Sequence, residues 1–384
     1  MPRPPHFVPS VLAMPGAVYS PFAHRLHDQF DSGPLVPLHV GDTWLEPCVG
    51  ARMEDLHVAD HPGMHRYSDT QGIPQLLDAI VEKARAHNGI RCEREGVLVA
   101  AGATGALATA VGAIASPDEE VLILAPFWPL IRGIVQSFRA TPVEVPFYDR
   151  VDSAQTAVEA VRERASERTV ALYVSTPSNP TGVVLPEEWL ASLAELAREC
   201  DWWLLSDEVY EDYVYRGEHV SLGPLAPERT ISIFSFSKAY GMAGNRVGYL
   251  VAPPSLVHEA HKIGTHTFYH AGTPSQLAAL AALERGHDWI AEARELYRRA
   301  GESAASALGQ PPPGGSTFLF LDVDAALDER GIDGFLTDCF EDGVLVAPGA
   351  SSGHDYASWV RLCYTSAPPD QVEVAVAALA KRLG

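Results

Sequence analysis

The chain has 384 residues, 47% of them hydrophobic and 20% charged, the balance of a globular protein with room for one large or two medium domains. Its 49 acids against 28 bases leave a formal charge of -21, which excludes a general nucleic-acid or anionic-membrane surface, since either needs a basic field. Any anion must be captured by a local site.

The N-terminal stretch "MPRPPHFVPSVLAMPGAVYSPFAHRL" is broken by prolines and lacks the continuous apolar core of a signal peptide. Nowhere does the chain approach the run of about twenty apolar residues that a membrane span needs. The five cysteines (Cys48, Cys92, Cys200, Cys339, Cys363) are odd in number, widely spread and without C-x-x-C. They suggest neither a disulfide framework nor a zinc site, and a soluble protein of the reducing cytoplasm is expected.

Along the chain, Ile73, Leu76, Leu77, Ile80, Val81 and Ala84 fall at helical spacing, and Gly89 follows as a C-cap. Short apolar runs then recur: "VLVAA" at 97–101, "VLIL" at 121–124, "VALYV" at 170–174, "WWLL" at 202–205 and "ISIF" at 231–234. Continuous apolar strands are the signature of a parallel sheet buried on both faces. Helical segments such as "PEEWLASLAELAREC" at 186–200 lie between them, and "GQPPPGG" at 309–315 reads as a surface connection. The βαβα order predicts an α/β fold with a mostly parallel sheet flanked by helices.

Ligands of open parallel sheets sit beyond the carboxyl ends of the strands, so the segment after each strand bears on function. "GATGAL" opens a helix, and Gly102 and Gly105 would let the N–H groups of Ala103 and Thr104 approach an anion, although an ordinary strand-to-helix turn reads the same. "APFWP" offers Trp128 as core or as a stacking platform. "STPSNPTG" offers Asn179, a turn residue or a polar contact. "SDEVYEDY" puts Asp207 at a buried strand end, where a carboxylate needs a partner or caps a helix. "SFSKAYGMAGNRVGYL" at 235–250 holds Lys238 among small and apolar residues with no acid beside it. An ammonium so placed reaches solvent, finds a distant partner or is chemically used. Ser235, Ser237 and Arg246 in this stretch are surface groups or part of a phosphate cup.

Taken in order, these segments resemble the signature set of the fold-type I, class I/II aminotransferases (the aspartate aminotransferase superfamily), which use pyridoxal 5′-phosphate. "RYSDTQGIPQLLDAI" at 66–80 and the C-terminal "GVLVAPG" and "WVRLCY" extend the resemblance over most of the chain. It implies a large domain over 44–269, a smaller α/β domain from 31–43 and 270–384, and an N-terminal arm over 1–30. It makes Lys238 the catalytic lysine, covalently joined to the cofactor aldehyde at rest and, when displaced by an amino acid, the general base. It makes Asp207 the partner of the pyridine nitrogen, Tyr210 and Asn179 the partners of the ring's phenolic oxygen, and Trp128 the stacking residue. Gly102, Ala103, Thr104, Ser235, Ser237 and Arg246 would hold the phosphate, and Tyr67 would reach the phosphate of a partner subunit's cofactor. Arg361, with Gly41, Asn179 and Trp128, would hold the substrate, the arginine forking onto its α-carboxylate; its plainer reading is a salt bridge to the protein's own acid.

The implied activity is amino transfer between an amino acid and a 2-oxo acid in a homodimer with shared active sites, with no metal, nucleic acid or membrane involved. A pyridoxal phosphate lyase or cyclopropane-forming synthase of the same fold is the alternative. A cofactor-sensing module of a transcription regulator would need a basic DNA-reading domain, and none is visible. A nicotinamide dehydrogenase would need G-x-G-x-x-G spacing, which "GATGAL" lacks. Two departures bear on the substrate. The stretch "PGASSG" has Ser352 where many members carry phenylalanine, which would alter the pocket wall. The segment "GTHTFYHAGTPSQ" has His266, Phe268, Tyr269 and His270 where aspartate-specific members carry an arginine, so a neutral or aromatic amino acid is expected.

Overall fold

The structure is a computed structural model that describes residues 6–14, 16, 21–25, 29–30 and 33–384. Seven strands form the main sheet: β1 (Val97–Ala100), β2 (Glu120–Ala125), β3 (Thr141–Pro146), β4 (Thr169–Ser175), β5 (Trp203–Asp207), β6 (Thr230–Ser235) and β7 (Gly248–Val251). Their order is β1-β7-β6-β5-β4-β2-β3, with β7 antiparallel to both neighbours and the other pairings parallel. The five apolar runs read from sequence are strands of this sheet. Two strands were not read. β3 ("TPVEVP") is an edge strand with two prolines and a partly exposed pattern, and β7 ("GYLV") lies within the lysine segment.

The reason for the uninterrupted apolar runs is visible on β2. Val121 and Ile123 pack with α2 (Gly102–Ile114), α3 (Leu130–Ser137) and α6 (Pro254–Thr267), whereas Leu122 and Leu124 pack with α4 (Ala154–Arg164) and α5 (Glu187–Glu199). Alternate side chains enter opposite cores, so every position is apolar. The first long helix, α1 (Pro74–Asn88), buries Leu76, Leu77, Ile80 and Ala84 and ends at Gly89, whose φ of 66° is the left-handed cap that glycine supplies.

A second, three-stranded antiparallel sheet, β8 (Phe318–Asp322), β10 (Trp359–Cys363) and β9 (Ala347–Pro348), has the order β8-β10-β9. Beside it, Val36–Pro37 pairs in parallel with Val344–Leu345, which ties the segment before Thr43 to the C-terminal part. α9 (Gly331–Glu341) and α10 (Pro369–Leu383) cover this sheet. The arm read over 1–30 lies partly outside the described residues; within it, Pro9–Leu12 is one helical turn near α3.

One boundary read from sequence differs from the packing. α7 (Thr273–Arg285) falls beyond Tyr269, yet its Ala278, Ala279 and Ala282 share a core with α1 and with Val97, Val99 and Tyr249 of the main sheet. Gln276 fixes this contact: fully buried, it accepts from the Ile73 N–H at 2.8 Å and donates to the Ala271 carbonyl at 2.7 Å. α8 (His287–Ala307) then runs on to the second core, where Ala304 and Ala305 pack with Leu379. A shape-preserving Gln276→Met exchange removes both bonds and strands a buried N–H. Urea titration should show a loss of about 1–3 kcal/mol; unchanged stability would mean that these bonds do not dock α7.

Candidate active site

A cleft opens at the carboxyl ends of the main-sheet strands. It is lined by Ala103 and Thr104 after β1, Trp128 after β2, Asn179 after β4, Asp207, Val209 and Tyr210 at the end of β5, and Ser235, Ser237 and Lys238 after β6. Arg246 enters from the turn before β7, Val40 and Gly41 from the N-terminal segment, and Arg361 from β10. Sequence reasoning thus named the polar residues that the fold brings together here. It missed Val40, Leu107, Leu130 and Val209, apolar residues with no pattern that separates them from core.

Gly102 starts α2 with φ of 72°, leaving the N–H groups of the first turn free of intrahelical partners and directed at the cleft. A Cβ at Gly102 would stand 2.5 Å from a terminal nitrogen of Arg246. A Cβ at Gly248 would stand 2.5 Å from the Ala103 nitrogen and 2.6 Å from the Gly102 carbonyl carbon. Only side chains without a Cβ allow the helix start, β7 and the arginine to crowd together. Arg246 sits in the left-handed region at φ of 54° and donates to the Ala243 carbonyl at 2.9 Å. Ser235 Oγ accepts from the Ser237 N–H at 3.0 Å, which holds the β6 exit in a tight turn. Two helix N–H groups, two hydroxyls and a guanidinium therefore surround one place.

Lys238 projects from that turn and its Nζ donates to the Gly41 carbonyl. Burial lowers its pKa below the usual lysine range; the Asp42 and Cys363 charges oppose the shift, while Arg361 and Arg246 add to it. The turn is supported from beneath by Tyr213, whose hydroxyl donates to the Lys238 carbonyl at 3.0 Å and to the Ala239 carbonyl at 3.2 Å. Asp207 is 4% exposed, and burial raises its pKa to about 6 against the hydrogen bonds from Tyr173 and the Val209 N–H. Arg361 is buried, donates to Asn179 Oδ1 at 2.9 Å and to the His39 carbonyl at 2.8 Å, and stands 4.5 Å from the Phe318 ring centroid. The Phe318 ring in turn meets Tyr210 edge-on at 5.7 Å, and a Cβ at Gly41 would stand 2.5 Å from it.

Tyr67 does not line this cleft. It is 84% exposed, and its ring meets those of Tyr269 and His270 at centroid distances of 5.0 and 5.9 Å. His266 bonds to the Lys262 carbonyl at 2.8 Å, and Phe268 packs near Gly105 and Gly264, so neither lines the cleft. Ser352 is also absent from the lining: it is buried and its carbonyl accepts from the Phe127 N–H at 3.0 Å, so the expected change in the pocket wall is not where the serine lies. Behind Asp207, Glu208, Glu211 and His219 come within 4.8 Å of one another. Ser206, Ser221 and His219 bond Glu208, while the Lys83 ammonium and Asn88 bond Glu211, so a cation is already supplied there by the protein.

The chain matches the family "Aminotransferase class I and II" over residues 34–379 and belongs to it. It is 36% identical over 317 residues to the aspartate/prephenate aminotransferase of Thermus thermophilus, covering 79% of this chain and 80% of the relative. To aromatic-amino-acid aminotransferase 2 of Thermococcus litoralis it is 32% identical, covering 79% and 81%. The structure of the Thermus thermophilus aspartate aminotransferase with maleate superposes with a TM-score of 0.88 at 30% identity, over 98% of this chain and 100% of that one. The protein is a pyridoxal phosphate-dependent transferase that moves an amino group between an amino acid and a 2-oxo acid.

The residues in the cleft fit the family's cofactor: a cup of donors for a phosphate, a buried carboxylate for a ring nitrogen and an amine of lowered pKa for an aldehyde. The crowding at Gly248 gives a test. Gly248→Ala must push the start of α2 away from β7, and calorimetry on the cofactor-free protein should show pyridoxal phosphate binding weakened about tenfold or more, the scale of one lost charge-assisted bond. Gly244→Ala, with nothing within 4 Å, is the control and should bind normally.

Proposed function

We propose that this enzyme is a cytoplasmic homodimer whose amino substrate is neutral or aromatic and whose cofactor is held by the cleft residues named above. Bound pyridoxal phosphate supplies an aldehyde that captures the amino group and a ring that withdraws electrons from the substrate's Cα. Ala103, Thr104, Ser235, Ser237 and Arg246 bind the phosphate, and Trp128 stacks on the ring. Asp207, as a carboxylate, keeps a proton at the ring nitrogen. Asn179 and Tyr210 orient the phenolic oxygen, and Asn179 also steadies Arg361, which takes the substrate α-carboxylate as a fork. Lys238 moves the proton at the substrate's Cα, and its burial-lowered pKa favours the basic form that this requires. The main sheet with α1 to α7 forms the large domain, and the β8-β10-β9 sheet with its helices and the segment near Leu35–Thr43 forms the small one.

The observation that carries the substrate reading is the charge inventory of the cleft. Among the described residues that line it, the cations are Lys238, Arg246 and Arg361, and each already has a task. Val40, Leu107, Leu130 and Trp128 supply an apolar wall for a side chain. The relative named for aromatic amino acids supports this reading; the relatives named for aspartate favour a dicarboxylate instead. Missing a dedicated arginine should cost a second carboxylate about 2 kcal/mol or more. Comparing kcat/KM across single amino acids decides: phenylalanine or another neutral amino acid should exceed aspartate and glutamate, and the reverse order refutes the proposal.

The dimer rests on Tyr67, an exposed aromatic at the edge of the molecule, clustered with Tyr269, which is 46% exposed. If Tyr67 completes the partner's phosphate cup, mixing inactive Tyr67→Ala with inactive Lys238→Ala subunits should restore part of the activity, because each hybrid holds one intact site. Lys238→Ala alone should bind cofactor yet lose more than the roughly 10²–10⁴-fold due to a positioned base. A fully active monomer in sedimentation would refute the shared site.

A further inference from the structure

We propose that Tyr173 is a positioning residue of the transfer reaction: its hydroxyl, bonded to the Asp207 carboxylate across the seam between β4 and β5, holds that carboxylate as the acceptor that the cofactor's ring nitrogen meets. The inference rests on the assignment of Asp207 to the ring nitrogen, and goes beyond it to a residue that does not line the cleft.

The geometry follows from parallel register. Tyr173 stands opposite Leu205, and Ser175 opposite Asp207, so Tyr173 and Asp207 share one face of the sheet, two residues apart along the seam. Tyr173 is fully buried and donates to Asp207 Oδ2 at 2.5 Å. The Val209 N–H reaches Oδ1 at 3.4 Å, a long contact, which makes the phenol the principal fixed donor to this carboxylate. Between Thr169 and Ser175, a strand otherwise made of alanine, leucine and valine has here a large polar-tipped side chain whose hydroxyl ends on the Asp207 carboxylate.

The titratable groups around Asp207 leave this role to Tyr173. Glu208, the next residue, turns its carboxylate to Ser206, Ser221 and His219. Tyr148 donates to the Ser175 carbonyl rather than to Asp207. Tyr210 and the cations Lys238, Arg246 and Arg361 line the cleft, and none of them is hydrogen-bonded to Asp207 among the bonds of the described residues. Burial alone drives Asp207 toward its neutral form, and its pKa of about 6 is already held down by the Tyr173 bond. A donated hydrogen bond stabilises the carboxylate, and so favours the arrangement in which the shared proton sits on the ring nitrogen. Without it the proton shifts toward Asp207, the ring withdraws electrons less strongly, and proton removal at Cα slows.

The experiment follows the carboxyl group itself. In cofactor-free protein labelled with ¹³C-aspartate, and with Asp207 assigned through Asp207→Asn, the Asp207 midpoint should rise by roughly one to two pH units in Tyr173→Phe. It should stay in place in Tyr148→Phe. With ¹⁵N-labelled pyridoxal phosphate bound, the ring nitrogen signal of Tyr173→Phe should move toward the neutral position, and kcat should fall about tenfold with little change in KM. Should Tyr173→Phe fold poorly, 3-fluorotyrosine at position 173 preserves the shape with a more acidic phenol and should lower the midpoint instead. An Asp207 midpoint unmoved by both variants overturns the proposal. A midpoint that moves while the ring nitrogen signal does not would show that the phenol acts on Asp207 but that Asp207 is not the ring's partner, which overturns the assignment beneath it and the proposal with it.

Discussion

The structure depends on keeping an amine out of water with a backbone carbonyl, not a carboxylate, as its hydrogen-bond partner. Lys238 donates to a backbone carbonyl, and burial is the largest influence on its proton affinity, opposed by the nearby Asp42 charge and helped by Arg361 and Arg246. An acid beside it would hold the amine charged and inert. The fold meets this constraint by placing the lysine after β6 and the acid Asp207 at the end of β5. Both then line the same cleft from separate strand ends.

That separation explains why so many elements end at one place. A parallel sheet delivers five strand ends to one edge, so residues distant in sequence arrive without long loops. The N-terminal segment and β10 then close over them. Gly41 meets Lys238, His39 meets Arg361, and the arginine reaches back to Asn179 in the turn after β4. These bonds join the two parts of the chain, so the buried Arg361, proposed for the substrate carboxylate, is held in place only when both are present. The arginine on the Phe318 ring and the glycine at 41 show how little space the bridge leaves.

Much of this was legible in the sequence because parallel strands bury both faces, and their apolar runs stand out from their surroundings. The polar residues of the site were legible for the converse reason: Asp207, Lys238 and Asn179 interrupt apolar context at strand ends. What was not legible has physical causes too. Strand β3 carries two prolines and reads as a loop. Helix α7 was read with the small domain, whereas its alanines pack against the main sheet, because an alanine-rich face does not say which core it fills; the buried Gln276 was the available signal. Tyr173 was hidden inside "VALYV", where an aromatic residue is an ordinary strand former. Only the register with β5 shows where its hydroxyl goes.

The net charge of -21 and a cleft that gathers cations look contradictory for an enzyme whose substrates are carboxylates. They act over different ranges. At physiological salt the acidic surface is screened within about 8 Å, so its repulsion weakens a short distance from the protein. Inside the cleft, burial extends the reach of Arg361, and the open start of α2 adds its positive end beside the more exposed Arg246. The surface then keeps nucleic acid and other polyanions away, while a small anion that comes within a few ångströms meets positive potential. On the proposed assignment of the phosphate, the α-carboxylate and the amino group to Arg246, Arg361 and Lys238, selectivity among such anions falls to what remains. The wall of Val40, Leu107, Leu130 and Trp128 is that remainder, and it offers contact area rather than charge.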